Sequence, residues 1–266
     1  QLHRRQRQMC IRDRINPDVQ SDTHEKITTG SLENKFGISV NETLEIFNKT
    51  KEFSSLSITA IAFHIGSNIK DLSPFKNSFE VAKNLIDKIQ LNDNSLKTID
   101  VGGGISPEER NFSFKDYYDM LISYFDKERF NFIFEPGRLI AADAGILVSK
   151  VLYTKISEGK KFIIIDAGMN DMMRPALYDA QHEILTSKLI DSDHNIETEI
   201  VGPICESSDK FMRTTKFANI EEGDNVVIKN VGAYGSTMSS NYNARPFIEE
   251  ILILSLIHIS EPTRPR

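Results

Sequence analysis

Cysteine is scarce in this chain, with only Cys10 and Cys205 among 266 residues. Two thiols without ligand-like spacing give neither a disulfide framework nor a metal site. No metal is therefore expected, and a reducing compartment, the cytoplasm, is the expected setting. Long apolar runs are missing too. The longest, residues 251–259, contains a serine and a histidine and falls well short of the roughly 20 residues that cross a bilayer as a helix. No membrane partner is expected, nor a nucleic-acid partner for a chain of net charge −6. The apolar fraction of 39% and charged fraction of 26% leave enough material for a substantial core in one large domain or two small ones.

Lysine is absent from both ends, although the middle of the chain relies on it. Residues 1–14 (QLHRRQRQMCIRDR) and 255–266 (SLIHISEPTRPR) hold seven arginines and no lysine, with net charges of +4 and +1. Setting these aside from the total of −6 leaves −11 on residues 15–254. A basic arm at each end for an acidic partner is one reading. The preferred expectation is that both ends are non-native, because they resemble translated sequencing adapters, and they are excluded from fold reasoning. The chain would then be an internal piece of a longer protein.

Between those ends strand and helix alternate. Residues 57–63 (SITAIAF) read as a strand that stops at HIGSN. Ser73 and Pro74 suit a helix start, and Phe75, Phe79, Ala82, Ile86 and Ile89 then recur at helical spacing. A strand TIDV runs into Gly102-Gly103-Gly104. A second helix is predicted over residues 114–127, with Phe114, Tyr118, Leu121, Ile122 and Phe125 on its buried stripe. A further strand, FNFIF, ends at Glu135-Pro136-Gly137-Arg138. This order is the signature of parallel βα units, in an open sheet or a closed barrel. After Arg138 the pattern changes to strand-like segments with little helical periodicity, among them ILVSKVLYTKI, KFIIIDAG, TEIVGPIC and DNVVIKNVGAY. Residues 216–235 have the form of two short strands around a polar turn. The expected organisation is an α/β part over residues 15–142 and a β-rich part over 143–254.

Polar and glycine residues collect where the strands of the first part end. Loops at the carboxyl ends of parallel strands build ligand sites, and consecutive glycines let backbone N–H groups approach an anion. Taken singly, GGG is often a mere turn and a lone histidine is often a hydrogen-bonded core residue. Three strand ends that carry a phosphate-compatible loop, a planar ring and an acid–base pair point to a site.

Those residues also form motifs. INPDV, FHIGSNI, DVGGGI, EPGRLIAADAGILVSKV, DAGMNDMMRPALYDAQHEI, VGPICESSDKF and GAYGSTMSSNYNARP, with THEKITTGSLENKFGI, closely resemble the diaminopimelate decarboxylase family. The resemblance runs from about Arg14 to Ile253. It implies the C-terminal part of a pyridoxal-phosphate-binding (β/α)8 barrel followed by a mainly β domain, both truncated. It also implies a carboxy-lyase that converts meso-2,6-diaminopimelate to L-lysine, the last step of lysine biosynthesis, as a homodimer with shared active sites.

By the same resemblance, Glu135 pairs with the pyridine nitrogen of pyridoxal 5'-phosphate and His64 stacks on its ring. Ser67, Gly103, Gly104 and Gly137 hold the phosphate. Arg138, Arg174 and Tyr178 grip the distal end of the substrate, where a guanidinium matches a carboxylate in two-point fashion. Cys205 is the implied proton donor, and a thiol with an ordinary pKa of about 8.5 is protonated yet labile near neutrality. Glu206 would bind the distal ammonium, and Tyr234 would contact cofactor and substrate. Cys205, Glu206 and Tyr234 would come from the second subunit. Taken alone, Cys205 would more often be a small buried hydrophobe.

The family's cofactor-anchoring lysine lies in a YAVKAN-like segment that has no counterpart in this chain. The expectation is that roughly the first third of a family member is missing and that the chain as given is inactive. Two other readings stay open: a sister decarboxylase acting on ornithine, arginine or a carboxylated polyamine, and a non-catalytic binding relative.

Overall fold

In a computed structural model of the protein, the described residues are 14–19, 36–50, 52–53, 55–90, 95–108, 112–188, 196–255 and 258–259. Cys10, residues 1–13, most of THEKITTGSLENKFGI and nearly all of residues 256–266 lie outside them. The chain divides into two compact units, Gln1–Ile140 and Ala141–Arg266.

The first unit is built of parallel βα repeats. Strands β1 (Ala60–Ala62), β2 (Thr98–Asp100) and β3 (Asn131–Ile133) pair in parallel in that order. Ile15 extends the row, bridging Phe63 on one side and Ile38 on the other, both in parallel. Helix α1 (Val40–Thr50) opens on Ser39, whose hydroxyl accepts Glu42 N–H while the Glu42 carboxylate accepts Ser39 N–H, a reciprocal cap. Helix α2 spans Ser73–Gln90 as its periodicity predicts, and Phe75, Phe79, Ala82, Ile86 and Ile89 are all buried. Its start differs from expectation: the side chain of Asp71 accepts Ser73 N–H at 2.8 Å, so Asp71 supplies the capping acceptor.

Helix α3 runs over Phe114–Tyr124, three residues shorter than the sequence suggests. Phe125 is already extended. Asp126 then takes Glu128 N–H on its side chain and Arg129 N–H on its carbonyl, a turn that competes with further helix. The buried stripe also differs. Tyr117, Leu121 and Phe125 face the core, whereas Phe114 and Tyr118 are 56% and 45% exposed. Ser113 caps the helix by accepting Asp116 N–H, which fixes Phe114 at the first helical position. Phe79 meets Phe63, Tyr117 and Phe125 edge-on at 5.8–6.2 Å, in the geometry aromatic quadrupoles favour. The first strand is shorter than the SITAIAF run, since only residues 60–62 pair as a strand with β2. Helix α4 (Gly137–Ala141) follows β3.

The second unit is a six-stranded sheet of order β6-β9-β4-β5-β7-β8. Its strands are β4 (Leu147–Ser157), β5 (Lys160–Ile165), β6 (Ile184–Thr186), β7 (Glu197–Val201), β8 (Lys210–Thr214) and β9 (Asn225–Ile228). All neighbours are antiparallel except β5 and β7. Leu147, Ser149 and Val151 alternate inward on β4, and a register shift follows between Val151 and Tyr153. Ile163, Ile165, Ile200, Val226 and Ile228 make the core. Of the two strands expected in residues 216–235, only β9 forms. Phe217, Ala218 and Ile220 are buried without joining the sheet. Helix α5 (Arg174–Tyr178) is a single turn inside an otherwise β-rich stretch. Strands β10 (Ile253–Ser255) and β11 (His258–Ile259) pair antiparallel. Among the described residues no helix is long and apolar enough to cross a membrane.

Candidate active site

In the first unit the three strand-end loops touch through backbone. A Cβ on Gly103 would lie 2.0 Å from the Glu135 carbonyl oxygen, and one on Gly104 would lie 2.3 Å from that of Gly66. Gly102 and Gly104 also hold φ of +68° and +106°, which side chains disfavour. The triple glycine thus lets the loop after β2 lie directly on the loops after β1 and β3. Glu135 N–H donates to the Gly102 carbonyl at 2.7 Å and fixes the β3 end against that loop.

The His64 ring is tied into this layer. Gly103 N–H donates to its Nδ1 at 3.1 Å, so the imidazole is neutral with its hydrogen on Nε2. Burial, with a smaller push from the Arg14 charge, holds its pKa down at about 4. A neutral flat ring suits stacking and does not suit proton delivery near neutrality. Glu135 is exposed at the end of β3, with Arg14 Nη2 3.6 Å from its carboxylate. Ser67 lies half-buried in the loop after β1. Gly137 opens α4, with nothing within 4 Å of where its Cβ would stand. Arg138 is buried. The first unit therefore brings together His64, the Gly102–Gly104 loop and Glu135.

In the second unit Asp166 starts the loop that leads to α5. Its carboxylate accepts Ser149 Oγ–H at 2.6 Å and Lys150 N–H at 2.9 Å, anchoring the loop to β4. Asp171 accepts Gly168 N–H at 2.9 Å and closes the turn, and Arg174 follows as the first residue of α5. Arg174 is 3% exposed, and its Nη1 lies 3.0 Å from Nε2 of the buried His182. Tyr178 ends the same helical turn and is half-buried.

The loop after β7 carries Cys205 and Glu206, both exposed. Asp209, buried beneath it, holds its shape by accepting Ile204 N–H at 2.8 Å and Met169 N–H at 2.7 Å. Burial pushes the Asp209 carboxyl pKa up, against those two bonds. Gly202 must lack a side chain because the Asp209 carboxylate occupies the space a Cβ would fill. Glu206 accepts the Tyr242 hydroxyl on one oxygen and Ser208 Oγ–H at 3.2 Å on the other, and this contact raises the Tyr242 pKa. Tyr234, exposed, sits at φ +67°, a strained conformation for a non-glycine residue and one that clusters at functional sites. The second unit thus presents Cys205 beside Glu206 and buries Arg174 under its own loop.

Sequence reasoning set Arg14 aside with the rest of residues 1–14 and passed over His182, Asp209 and Tyr242. His182 and Asp209 stood inside quoted motifs, RPALYDAQHEI and VGPICESSDKF, with no role until the fold folded them back onto Arg174 and onto the cysteine loop.

A strand-end loop layer with an acidic group, a neutral ring and a glycine-lined backbone stands where parallel βα architectures place their ligand sites. The chain belongs to the pyridoxal-dependent decarboxylase family: residues 19–232 match the model described as "Pyridoxal-dependent decarboxylase, C-terminal sheet domain". It is 40% identical over 245 residues to the diaminopimelate decarboxylase of Zymomonas mobilis, covering 90% of this chain and 58% of that protein. Against the Helicobacter pylori diaminopimelate decarboxylase it is 41% identical over 244 residues, covering 90% and 60%. A crystal structure of the Helicobacter pylori enzyme complexed with L-lysine aligns with a TM-score of 0.80 at 39% identity, over 90% of this chain and 60% of that one. The chain thus spans about three-fifths of the length of the curated relatives it matches. It carries the C-terminal part of a pyridoxal-phosphate-binding (β/α)8 barrel followed by a mainly β domain.

Proposed function

We propose that this chain is the greater part of a pyridoxal 5'-phosphate-dependent diaminopimelate decarboxylase, which releases CO2 from meso-2,6-diaminopimelate and leaves L-lysine. The observation that carries the reading is the pairing of family membership with a buried, oriented Arg174. A diamine precursor such as ornithine has no distal carboxylate for such a fork to hold, and a site for it has no use for a fixed guanidinium there.

The residues present fit the cofactor. Glu135 would stand at the pyridine nitrogen, His64 would face the ring, and Ser67 with the backbone of Gly103, Gly104 and Gly137 would take the phosphate. The Gly103 N–H now bonded to His64 would have to exchange partners to do so, whereas open space stands beside Gly137. When bound, the cofactor supplies an electron sink for the pair left as CO2 departs. Arg174, Arg138 and Tyr178 would hold the distal carboxylate, Glu206 the distal ammonium, and Tyr234 both cofactor and substrate. The Sγ–H of Cys205 delivers its proton to the carbon that has lost CO2, and solvent reprotonates the thiolate. The two groups of residues serve one reaction across a homodimer, with Cys205, Glu206 and Tyr234 entering from the second copy.

The test is a complete decarboxylase in which residues 15–253 replace the matching part of the Helicobacter pylori relative. Release of CO2 from meso-diaminopimelate, with little from ornithine or arginine, is the expected result. A soluble, cofactor-loaded chimera that prefers ornithine or arginine would make the chain a sister decarboxylase. One that turns over none of the three would make it a binding relative.

A further inference from the structure

His182 has no part in the reaction as described, yet it is 5% exposed and both ring nitrogens have polar neighbours. Its Nε2 lies 3.0 Å from Arg174 Nη1, and its Nδ1 lies 2.8 Å from the Lys229 carbonyl oxygen. A guanidinium only donates, so Nε2 must accept; a carbonyl only accepts, so Nδ1 must carry the hydrogen. One neutral tautomer meets both demands.

The local fold makes this arrangement rigid. Helix α5 ends with Asp179 in the left-handed region, and the chain turns back so that His182, just ahead of β6, lies over the first residue of the helix. Lys229, just past β9, donates its N–H to the Glu183 carbonyl at 2.9 Å and so continues the β6–β9 ladder. The carbonyl that orients the imidazole is thus set by the sheet, and the imidazole in turn sets the guanidinium. Among five guanidinium N–H donors, committing one to a fixed acceptor narrows the orientations open to the plane.

We propose that His182 is a positioning residue: it orients Arg174 for a two-point grip on the substrate's distal carboxylate, and so selects substrates that carry a second carboxylate over diamine precursors, such as ornithine, that carry only one. The proposal rests on the reading above that Arg174 takes that carboxylate. A histidine that merely filled the core would affect all ligands alike, whereas a positioning histidine acts only on those with the carboxylate.

L-Lysine and cadaverine make the distinction, since cadaverine is lysine without its carboxylate. In the complete chimera, His182→Asn can still donate to Lys229 but is too short to accept from Arg174, whereas His182→Gln reaches Arg174 with its carbonyl oxygen. Because a misplacement near 1 Å can cost on the order of 100-fold, His182→Asn should weaken inhibition by L-lysine and raise KM for meso-diaminopimelate by about 10- to 100-fold. Cadaverine inhibition should stay at the unsubstituted level, and His182→Gln should regain most of the loss. An L-lysine to cadaverine ratio unchanged in His182→Asn would overturn the proposal, as would equal weakening of both ligands. If the unsubstituted chimera already fails to prefer L-lysine over cadaverine, the reading of Arg174 falls first and the role of His182 falls with it. His182→Phe, which keeps the ring and deletes the acceptor, repeats the comparison should the asparagine variant fold poorly.

Discussion

At the scale of single residues, the site depends on backbone contact and on a neutral ring. Gly103→Ala would drive a Cβ into the Glu135 carbonyl, a backbone atom that no rotamer change can move aside. It should cost at least the upper part of the roughly 1–3 kcal/mol typical of overpacking, read as a lower urea midpoint. Gly137→Ala meets nothing within 4 Å and should leave stability within about 0.5 kcal/mol. His64 gives a pH dependence with a definite sign. Its pKa in the folded chain, about 4, lies below the ordinary 6.5, so the unfolded chain binds the proton more readily. Its contribution to stability is complete above about 6.5 and is lost as pH falls toward about 4. Urea midpoints taken across that window should fall with pH, and His64→Phe should flatten part of that slope. An unchanged slope would mean that the ring is not held neutral by burial.

At the scale of elements, the helices and strands were legible where one face alone is buried. Helix α2 shows its face at helical spacing in the sequence, and the observed bounds agree. Helix α3 was legible as a helix, but not its face or its end. Five apolar residues at near-helical spacing allow more than one stripe, and packing selects Tyr117, Leu121 and Phe125. Its stop depends on Asp126 competing for backbone N–H groups, a local rivalry that periodicity does not register. Its start depends on the Ser113 cap, and Ser113→Ala should cost about 1 kcal/mol, measured as a shift in the urea midpoint with little change in slope. Helix α5 was illegible because one turn has no period to detect, and it exists where the Asp166–Asp171 loop delivers Arg174 to Pro175. The Phe217–Ile220 run looked like a strand because apolar burial alone does not say whether a backbone joins a ladder.

At the scale of the whole molecule, the alternation of strand and helix followed by strands alone was enough to anticipate a parallel βα part and a β part. The residue types at three strand ends pointed to a ligand site, and it was the resemblance carried by the motifs that implied a pyridoxal cofactor. What one chain's sequence could not supply was the reinforcement beneath the site: Asp209 under the cysteine loop and His182 behind Arg174 act across sequence gaps that only folding closes. By the function proposed above, Glu135 of one copy and Cys205 of a second copy serve the same reaction. The most direct measurement mixes two inactive chimeras, Glu135→Ala and Cys205→Ala, and follows CO2 release from meso-diaminopimelate. Random exchange in a twofold dimer makes half of the molecules mixed, each with one intact site, so about a quarter of full activity should return. If each variant is inactive alone and the mixture stays inactive after subunit exchange, the two residues do not meet across copies and the shared-site account is wrong.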